Sequence, residues 1–420
     1  MKRDRFPADD AGTRRGRVDP SRPFRRKPDT DGRGVAPSLM EFDPTDEQAA
    51  LRDDAREFAA SEIEPRARDL DDAGEYPAEV MAALADRGWT GLTIPETHGG
   101  RGRGFVDLAL VIEELSAAMM PVASALALHL GVARVIQRHG APEQRERFLP
   151  GMAAFETVGA LGLSEENAGS DKLAMETTAE RSGGEWVLNG HKRWVTNFLE
   201  ADEVLTYAKT GPESAAPHNV TAFLVPTEAF EVETVWETLG ARSVKSPKVT
   251  LTDARVPDDR AVGAVDEGYV ERGEVVTGVN VPARGVGIAR AALEAAVAYA
   301  GEREQFDRPI GEFQGVRWRF AEMAERVEAA RLLALRAAAR ADDGRSVGRE
   351  LSMAKISASE AAVDNAEDAI DVHGGIGYTT ERPVERYLRD AKLLTIAGGP
   401  NDVHRNAVAD GAIDRYGHRG

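Results

Sequence analysis

Apolar residues recur every three to four positions from Thr45 onward, with Leu51, Ala55, Phe58 and Ala59 on one helical face. Thr45 and Gln48 have the spacing of a capping box that opens this helix, and Pro65 closes it. The stretches AEVMAALADRG, VDLALVIEELSAAMM, ASALALHLGVARVIQRHG and PEQRERFLPGMAAF keep the helical texture, which predicts an N-terminal helical domain over residues 40–155. The texture then changes. EWVLNGHKRWVTN, EVLTYAKT, VTAFLVPT, FEVETVWET and KVTLTDARVP are short, rich in β-branched and aromatic residues, and separated by NG and SGG turns. They predict a small antiparallel β domain over 156–268. Four to five long helical stretches follow, with small residues on their contact faces, and predict an antiparallel helical bundle over 269–420. The chain therefore reads as mainly α with a central β domain.

Composition narrows the chemistry. With 42% hydrophobic residues in 420, the chain can bury two or three substantial cores. The absence of cysteine excludes disulfides, zinc–thiolate sites and thiol catalysis. A net charge of −18 speaks against nucleic-acid binding by the folded part. No apolar run stands out as a ~20-residue span, so a cytoplasmic protein without membrane segments is expected. Residues 1–39 are rich in Arg, Pro, Gly and Asp and nearly empty of large apolar groups, the composition of a disordered tail. Met40 opens MEFDPTDEQAALRDDAREFAA, which reads like a natural start.

Several motifs could carry chemistry. HGGRGRG, His98 to Gly104, has glycines reminiscent of a dinucleotide loop but is flanked by helices, so a plain connecting loop is expected. The eight histidines are scattered without metal-ligand spacing, and no GxSxG elbow is present. LGLSEENAGSD, Leu161 to Asp171, joins a strand-like start to a loop of small polar residues suited to an anionic or heteroaromatic ligand. In NGHKRWVTN, alternation puts Trp194 and Thr196 on one face of a strand, an indole and a hydroxyl suited to a flat ring. Arg303 stands at the end of the first bundle helix, and Gly374 and Gly375 allow close backbone approach. Arg389 and Asp390 read as a structural ion pair. Near the C-terminus, AKLLTIAGGPNDVHRNAVAD breaks a helix with two glycines and a proline, as though something approaches the backbone there.

Taken in order, IPETHGG…VIEEL, SEENAGSD, LNGHKRWVTN, DARVP, YAGEREQFDRPIGEFQ and HGGIGYTTERPVERYLRDA resemble the acyl-CoA dehydrogenase family of flavoproteins, from about Met40 to His418. The resemblance implies FAD held between two subunits of a homotetramer or mixed tetramer. Leu161, Leu163, Ser164, Trp194 and Thr196 would hold the isoalloxazine. Arg303, Phe306, Gln314, Asp371 and Gly375 would meet the adenine and pyrophosphate side from the partner. Ser170 would contact the CoA of the acyl-CoA substrate, and electron-transferring flavoprotein would take the electrons. Asp371 departs from the family's usual Gln. The larger departure is at the catalytic base, where the family's YEGT glutamate aligns with Gly398. The alternative base position of a second branch aligns with Thr277, followed by Gly278. The carboxylates left to compensate are Glu274 and, less favourably, Asp402. The resemblance thus implies α,β-dehydrogenation of an acyl-CoA thioester, as in fatty acid degradation. The alternatives are a base-less partner subunit of a mixed tetramer, or a flavin-dependent oxidase or monooxygenase on the same fold.

Overall fold

The computed structural model describes residues 43–271 and 279–417. The Arg-rich stretch 1–39 lies outside the described residues, as do Glu274, Thr277 and Gly278.

Helix α1, Asp46–Phe58, starts at the expected capping box: the Gln48 amide donates to Thr45 Oγ1 at 3.3 Å, and the Thr45 amide donates to Gln48 Oε1 at 3.1 Å. The chain then winds past Pro65 into α2, Ala67–Ala73, and α3, Ala78–Asp86. The HGGRGRG segment is a connecting loop into α4, Phe105–His139, and α5, Pro142–Ala153, follows. Asp342 caps α4 from the bundle, accepting the Phe105 and Val106 amides at 2.6 and 3.0 Å. Helix α4 breaks at Met119 (φ −158°, ψ 105°), two residues before Pro121, which removes a backbone donor. The expectation of no span-like run needs correcting here. Helix α4 is long and apolar enough to cross a bilayer, but 89% of its most apolar window is buried inside the protein, as in a core helix.

The sheet has eight strands among the described residues: β1 Gly159–Gly162, β2 Thr178–Ser182, β3 Glu185–Lys192, β4 Glu203–Lys209, β5 Val220–Pro226, β6 Glu231–Thr234, β7 Lys248–Pro257 and β8 Ala261–Val262. Its order is β6-β7-β3-β2-β4-β5-β8, with β1 beside β4. Most pairs are antiparallel, but β1 and β2 both run parallel to β4, with Leu161 opposite Leu205 and Thr178 opposite Lys209. The expected all-antiparallel sheet is corrected to that extent: α5 delivers the chain to the end of the sheet from which β4 also starts.

The bundle comprises α6 Asn280–Glu302, α7 Gln314–Asp342, α8 Gly348–His373, α9 Val384–Leu394 and α10 Asn401–Tyr416. Helix α6 is wedged between α4 and α8, and its glycines permit it: a Cβ at Gly285 would lie 2.6 Å from the Ala358 carbonyl oxygen, and one at Gly287 would collide with the carbonyl of Glu113. The VIEEL motif binds the helices together. Glu114 accepts from Arg290 at 2.5 Å and from Arg56 at 2.9 Å, while Glu113 pairs with Arg331 at 2.7 Å.

Arg389 and Asp390 do not pair with each other as expected. Arg389 bridges to Asp71 at 2.6 Å, whereas the buried Asp390 accepts the Ala241 amide at 2.7 Å, joining the bundle to the loop before β7. Consecutive helical residues point to different neighbours, which is the physical reason. Burial pushes the Asp390 carboxyl up to about 6, more than the Ala241 donor and Arg386 offset. Its folded pKa lies above its unfolded value, so its stabilisation is complete below the ordinary 3.8 and is lost as pH rises through about 6. His129 has the opposite sign. It is fully buried, takes the Gly159 amide at Nδ1 and bonds the Met152 carbonyl through Nε2. Burial lowers its pKa to about 4, so its contribution is lost as pH falls from 6.5. Asp390→Asn stays neutral and still accepts from Ala241, and His129 cancels in the comparison. Urea unfolding should show the variant gaining on the wild type by about 2 kcal/mol between pH 4 and 7.

Candidate active site

The SEENAGSD loop is organised around a buried ion pair. Glu165 receives Lys192 Nζ at 2.5 Å, both side chains almost fully buried, and also accepts the Glu176 and Thr177 amides. Burial alone would raise the Glu165 carboxyl, but Lys192 and the backbone donors outweigh it and hold the group below the usual carboxylate range. The same loop is stitched to the end of β3. Arg193 N–H donates to the Ser164 carbonyl at 2.9 Å, its Nε to the Glu165 carbonyl at 3.1 Å, and the Glu166 amide meets His191 Nε2 at 3.2 Å.

This stitching positions Trp194. The strand ends at Lys192, and Trp194 adopts φ +63°, so Trp194 and Thr196 lie in the turn after β3. The expectation that they share a strand face is corrected. The reason is that the Val195 amide turns to the Pro247 carbonyl and the buried Val195 side chain enters the core, which ends the alternation. The Trp194 indole is 51% exposed and stacks on Trp236 with centroids 4.3 Å apart. Thr196 Oγ1 meets Ser246 Oγ at 3.1 Å. Leu161 and Leu163 pack with their side chains against the core, leaving their backbone at the edge of β1, which pairs only with β4 among the described residues. The Ser164 amide and hydroxyl make no hydrogen bond within the described residues. Ser170 is exposed in the loop beyond.

A second region lies on the bundle. A cavity of about 700 Å³ is lined by Arg303, Gly375, Gly374, Arg382, His373 and Tyr299, among others. Neither Arg303 nor Arg382 forms an ion pair among the described residues. A Cβ at Gly374 or Gly375 would meet nothing within 4 Å, so the backbone there stays open to approach. Tyr299 stacks on His373 at 4.3 Å. Sequence reasoning found Arg303 and Gly375 but missed Arg382, His373 and Tyr299; the HGG and TTERP segments were the available signal. Phe306, Gln314 and Asp371 do not line this cavity. Phe306 sits 88% exposed at the tip of a two-residue turn with φ +54°, Gln314 is exposed at the start of α7, and Asp371 is held by Arg319 at 2.9 Å. None of the sheet-side residues lines this cavity either.

The broken helix near the C-terminus is satisfied from within. Lys355, buried on α8, donates to the carbonyls of Thr395 and Gly399 at 3.2 and 2.7 Å and to Asn401 Oδ1 at 2.6 Å. Burial lowers its ammonium pKa to about 8. His404 Nε2 lies 3.1 Å from the Gly398 carbonyl. What approaches this backbone is therefore the chain's own Lys355 and His404. Gly398 and Gly399 have φ of +71° and +102°, and a Cβ at Gly398 would point to Val281 of α6 at 3.1 Å. Asp402 is 89% exposed and bound to Arg405 at 2.6 Å, the position of a helix-terminal charge.

The family models for the acyl-CoA dehydrogenase N-terminal, middle and C-terminal domains match residues 45–156, 160–254 and 277–413. The chain belongs to the acyl-CoA dehydrogenase family. It is 36% identical over 376 residues to the probable acyl-CoA dehydrogenase YngJ of Bacillus subtilis, covering 88% of this chain and 99% of that one. Butyryl-CoA dehydrogenase from Megasphaera elsdenii superposes with a TM-score of 0.86 at 30% identity, covering 89% of this chain and all of that one (100%). A chain in a structure of the electron transferring flavoprotein of Acidaminococcus fermentans matches with a TM-score of 0.86 at 33% identity, covering 89% and 100%.

As a member of this family the chain is an oxidoreductase and a flavoprotein whose cofactor is FAD. Its residues fit that group. A half-exposed indole near the free donors of Ser164 suits a flat heteroaromatic ring. Two guanidinium-bearing residues without ion pairs beside an open glycine turn suit a pyrophosphate, to which Arg pairs bidentately.

Proposed function

We propose that this chain removes hydrogen across the α–β bond of an acyl-CoA thioester, and that two copies complete each flavin site. The observation that carries the reading is the split of the cofactor-like features. The indole and Ser164 donors stand on the sheet, while the arginine-and-glycine cavity stands on the bundle and contains none of the sheet-side residues. A second copy supplies the missing half of each. Ser164, Trp194 and Thr196 orient the ring, with Leu161 and Leu163 backing it. Arg303 and Gly375 of the neighbouring copy bind the pyrophosphate, and Ser170 meets the CoA. When bound, FAD supplies the acceptor for the β-hydrogen. The α-proton requires a base within about 3 Å of the carbon. Gly398 carries no acceptor, and Asp402 is committed to Arg405 and solvent. We assign the base to Glu274. Electron-transferring flavoprotein as acceptor agrees with the match to the Acidaminococcus fermentans structure.

Anaerobic mixing of the FAD-loaded protein with a panel of acyl-CoAs tests this directly. Loss of the oxidised flavin spectrum with one or more thioesters supports the reading. A protein that stays yellow with every thioester, but gains activity when co-expressed with a base-bearing homologue, supports the base-less partner subunit that Gly398 favours. For the cofactor half-site, Arg303→Ala should weaken FAD binding by about 10–100-fold, because a charge-assisted phosphate contact contributes about 1.5–3 kcal/mol. Fluorescence titration of the apoprotein with FAD reads this, and an unchanged affinity would remove Arg303 from the site.

A further inference from the structure

We propose that the acyl pocket of this chain takes a thioester whose acyl chain ends in an anionic group, and that Arg284 recognises that end. The inference deepens the dehydrogenase reading above and rests on it.

Arg284 lies in the second turn of α6 and is 4% exposed. Its guanidinium contacts neutral groups only: Ser124 Oγ, Asn280 Oδ1 at 2.9 Å, and Met120 Sδ at 3.9 Å. Its Nε is buried without a partner, and no carboxylate pairs with it among the described residues. Among the largely buried arginines of the same fold, Arg290 is matched with Glu114, Arg331 with Glu113 and Arg389 with Asp71, while the buried Arg386, like Arg284, has no ion pair among the described residues but donates to the Ala118 carbonyl. Burial lowers the Arg284 pKa to about 10, which leaves it cationic at neutral pH. A buried, uncompensated cation is costly, and side chains that persist in that state wait for a counter-charge.

The location says which counter-charge. Gly398, aligned with the family's base, faces Val281 of α6. Arg284 is three residues further along that helix, hence on the same face and about 4.5 Å deeper. Opposite stand Met120 and Ser124 of α4, just past the break at Met119, and Met120 shares one apolar cluster with Val281. An apolar wall beginning at the reacting position and ending in an unpaired guanidinium with a hydroxyl beside it matches an acyl chain with an apolar middle and a carboxylate at its far end. A carboxylate there would take paired N–H donors from Arg284. A neutral chain of equal length would leave the cation unpaired, so the same residue both attracts and discriminates.

The test uses the FAD-loaded protein and matched thioesters: pentanoyl-CoA against glutaryl-CoA, and hexanoyl-CoA against adipoyl-CoA. Binding is read by anaerobic calorimetry and by the shift of the flavin spectrum. The charged member of at least one pair should bind about 10–100-fold more tightly. Arg284→Gln should erase that preference by weakening only the charged thioester, and Arg284→Lys should keep part of it. Should the Gln variant fail to fold, the Lys variant and Ser124→Ala carry the comparison, each expected to show a reduced but surviving preference. Equal binding of both members by the wild type, or equal loss of both in the variants, overturns the inference and leaves the dehydrogenase reading intact. If the flavin-loaded wild type binds none of the four thioesters, that reading fails and takes this one with it.

Discussion

Glu274→Gln is expected to abolish bleaching of the flavin by acyl-CoA while leaving FAD content and thioester binding unchanged. The α-proton of a thioester is barely acidic, so removing the positioned acceptor should slow the reductive half-reaction by roughly 10²–10⁴-fold. Hydrogen bonds to the thioester carbonyl persist in the variant, because they come from other groups, and they leave a residual rate rather than none. Stopped-flow absorbance under anaerobic conditions separates the two quantities: binding appears as a fast perturbation of the flavin bands and proton removal as the slower loss of colour. Retained bleaching would move the base elsewhere, and Asp402→Asn is then the informative second variant. If neither substitution alters bleaching, the proton goes to a group other than these carboxylates. Installing a side chain at Gly398 is a poor route to rescue. Its φ of +71° disfavours any residue with a Cβ, and Val281 already stands 3.1 Å from where that Cβ would be.

The three-part architecture was legible because hydrophobic period and turn chemistry are local. The capping box at Thr45 and the switch from helical to strand texture after α5 both depend on a few neighbouring residues. Two features of the sheet were not. The parallel pairing of β1 with β4 joins residues about forty apart, and nothing in GALG itself distinguishes it from an antiparallel strand. The turn at Trp194 requires a left-handed backbone at a bulky residue, which alternation cannot announce and which the Val195–Pro247 hydrogen bond imposes from a distance. At the site, Arg303 and Gly375 were implied by the family resemblance and do line one cavity, but Phe306, Gln314 and Asp371, implied by the same motifs, do not. The glycine pair at Gly398 and Gly399 was plain in the sequence. That Lys355 fills the backbone need around it was not, since Lys355 sits some forty residues earlier on another helix. Arg284 gave no signal at all: an arginine in a helix looks ordinary until its neighbours prove to be neutral.

Glu165→Gln should destabilise the protein by about 3–5 kcal/mol, because it leaves the Lys192 ammonium buried without its counter-charge. The neutral amide keeps one oxygen for the Glu176 and Thr177 amides, so the loss isolates the charge rather than the loop's backbone hydrogen bonds. Pairing it with Lys192→Met removes the orphaned cation, and the double variant should recover most of the stability, as neutral replacements of buried pairs do. The recovery separates two effects that the single variant confounds. Ser164 and the Trp194 turn are fastened to each other through Arg193 and the carbonyls of Ser164 and Glu165, and Glu165 fixes the base of that fastening. If the ion pair serves only stability, the double variant should retain FAD as the wild type does. If it also holds the ring-binding edge in register, FAD affinity should stay low even after unfolding free energy has returned. Urea unfolding and FAD titration on the same three proteins decide between these. Since the Glu165 carboxyl is held below its ordinary 4.5, its share of stability is present above that pH and is lost on acidification through the depressed value. The wild-type advantage over Glu165→Gln should therefore shrink in strong acid, and an advantage that instead grew there would mean the pair is not ionised in the folded protein.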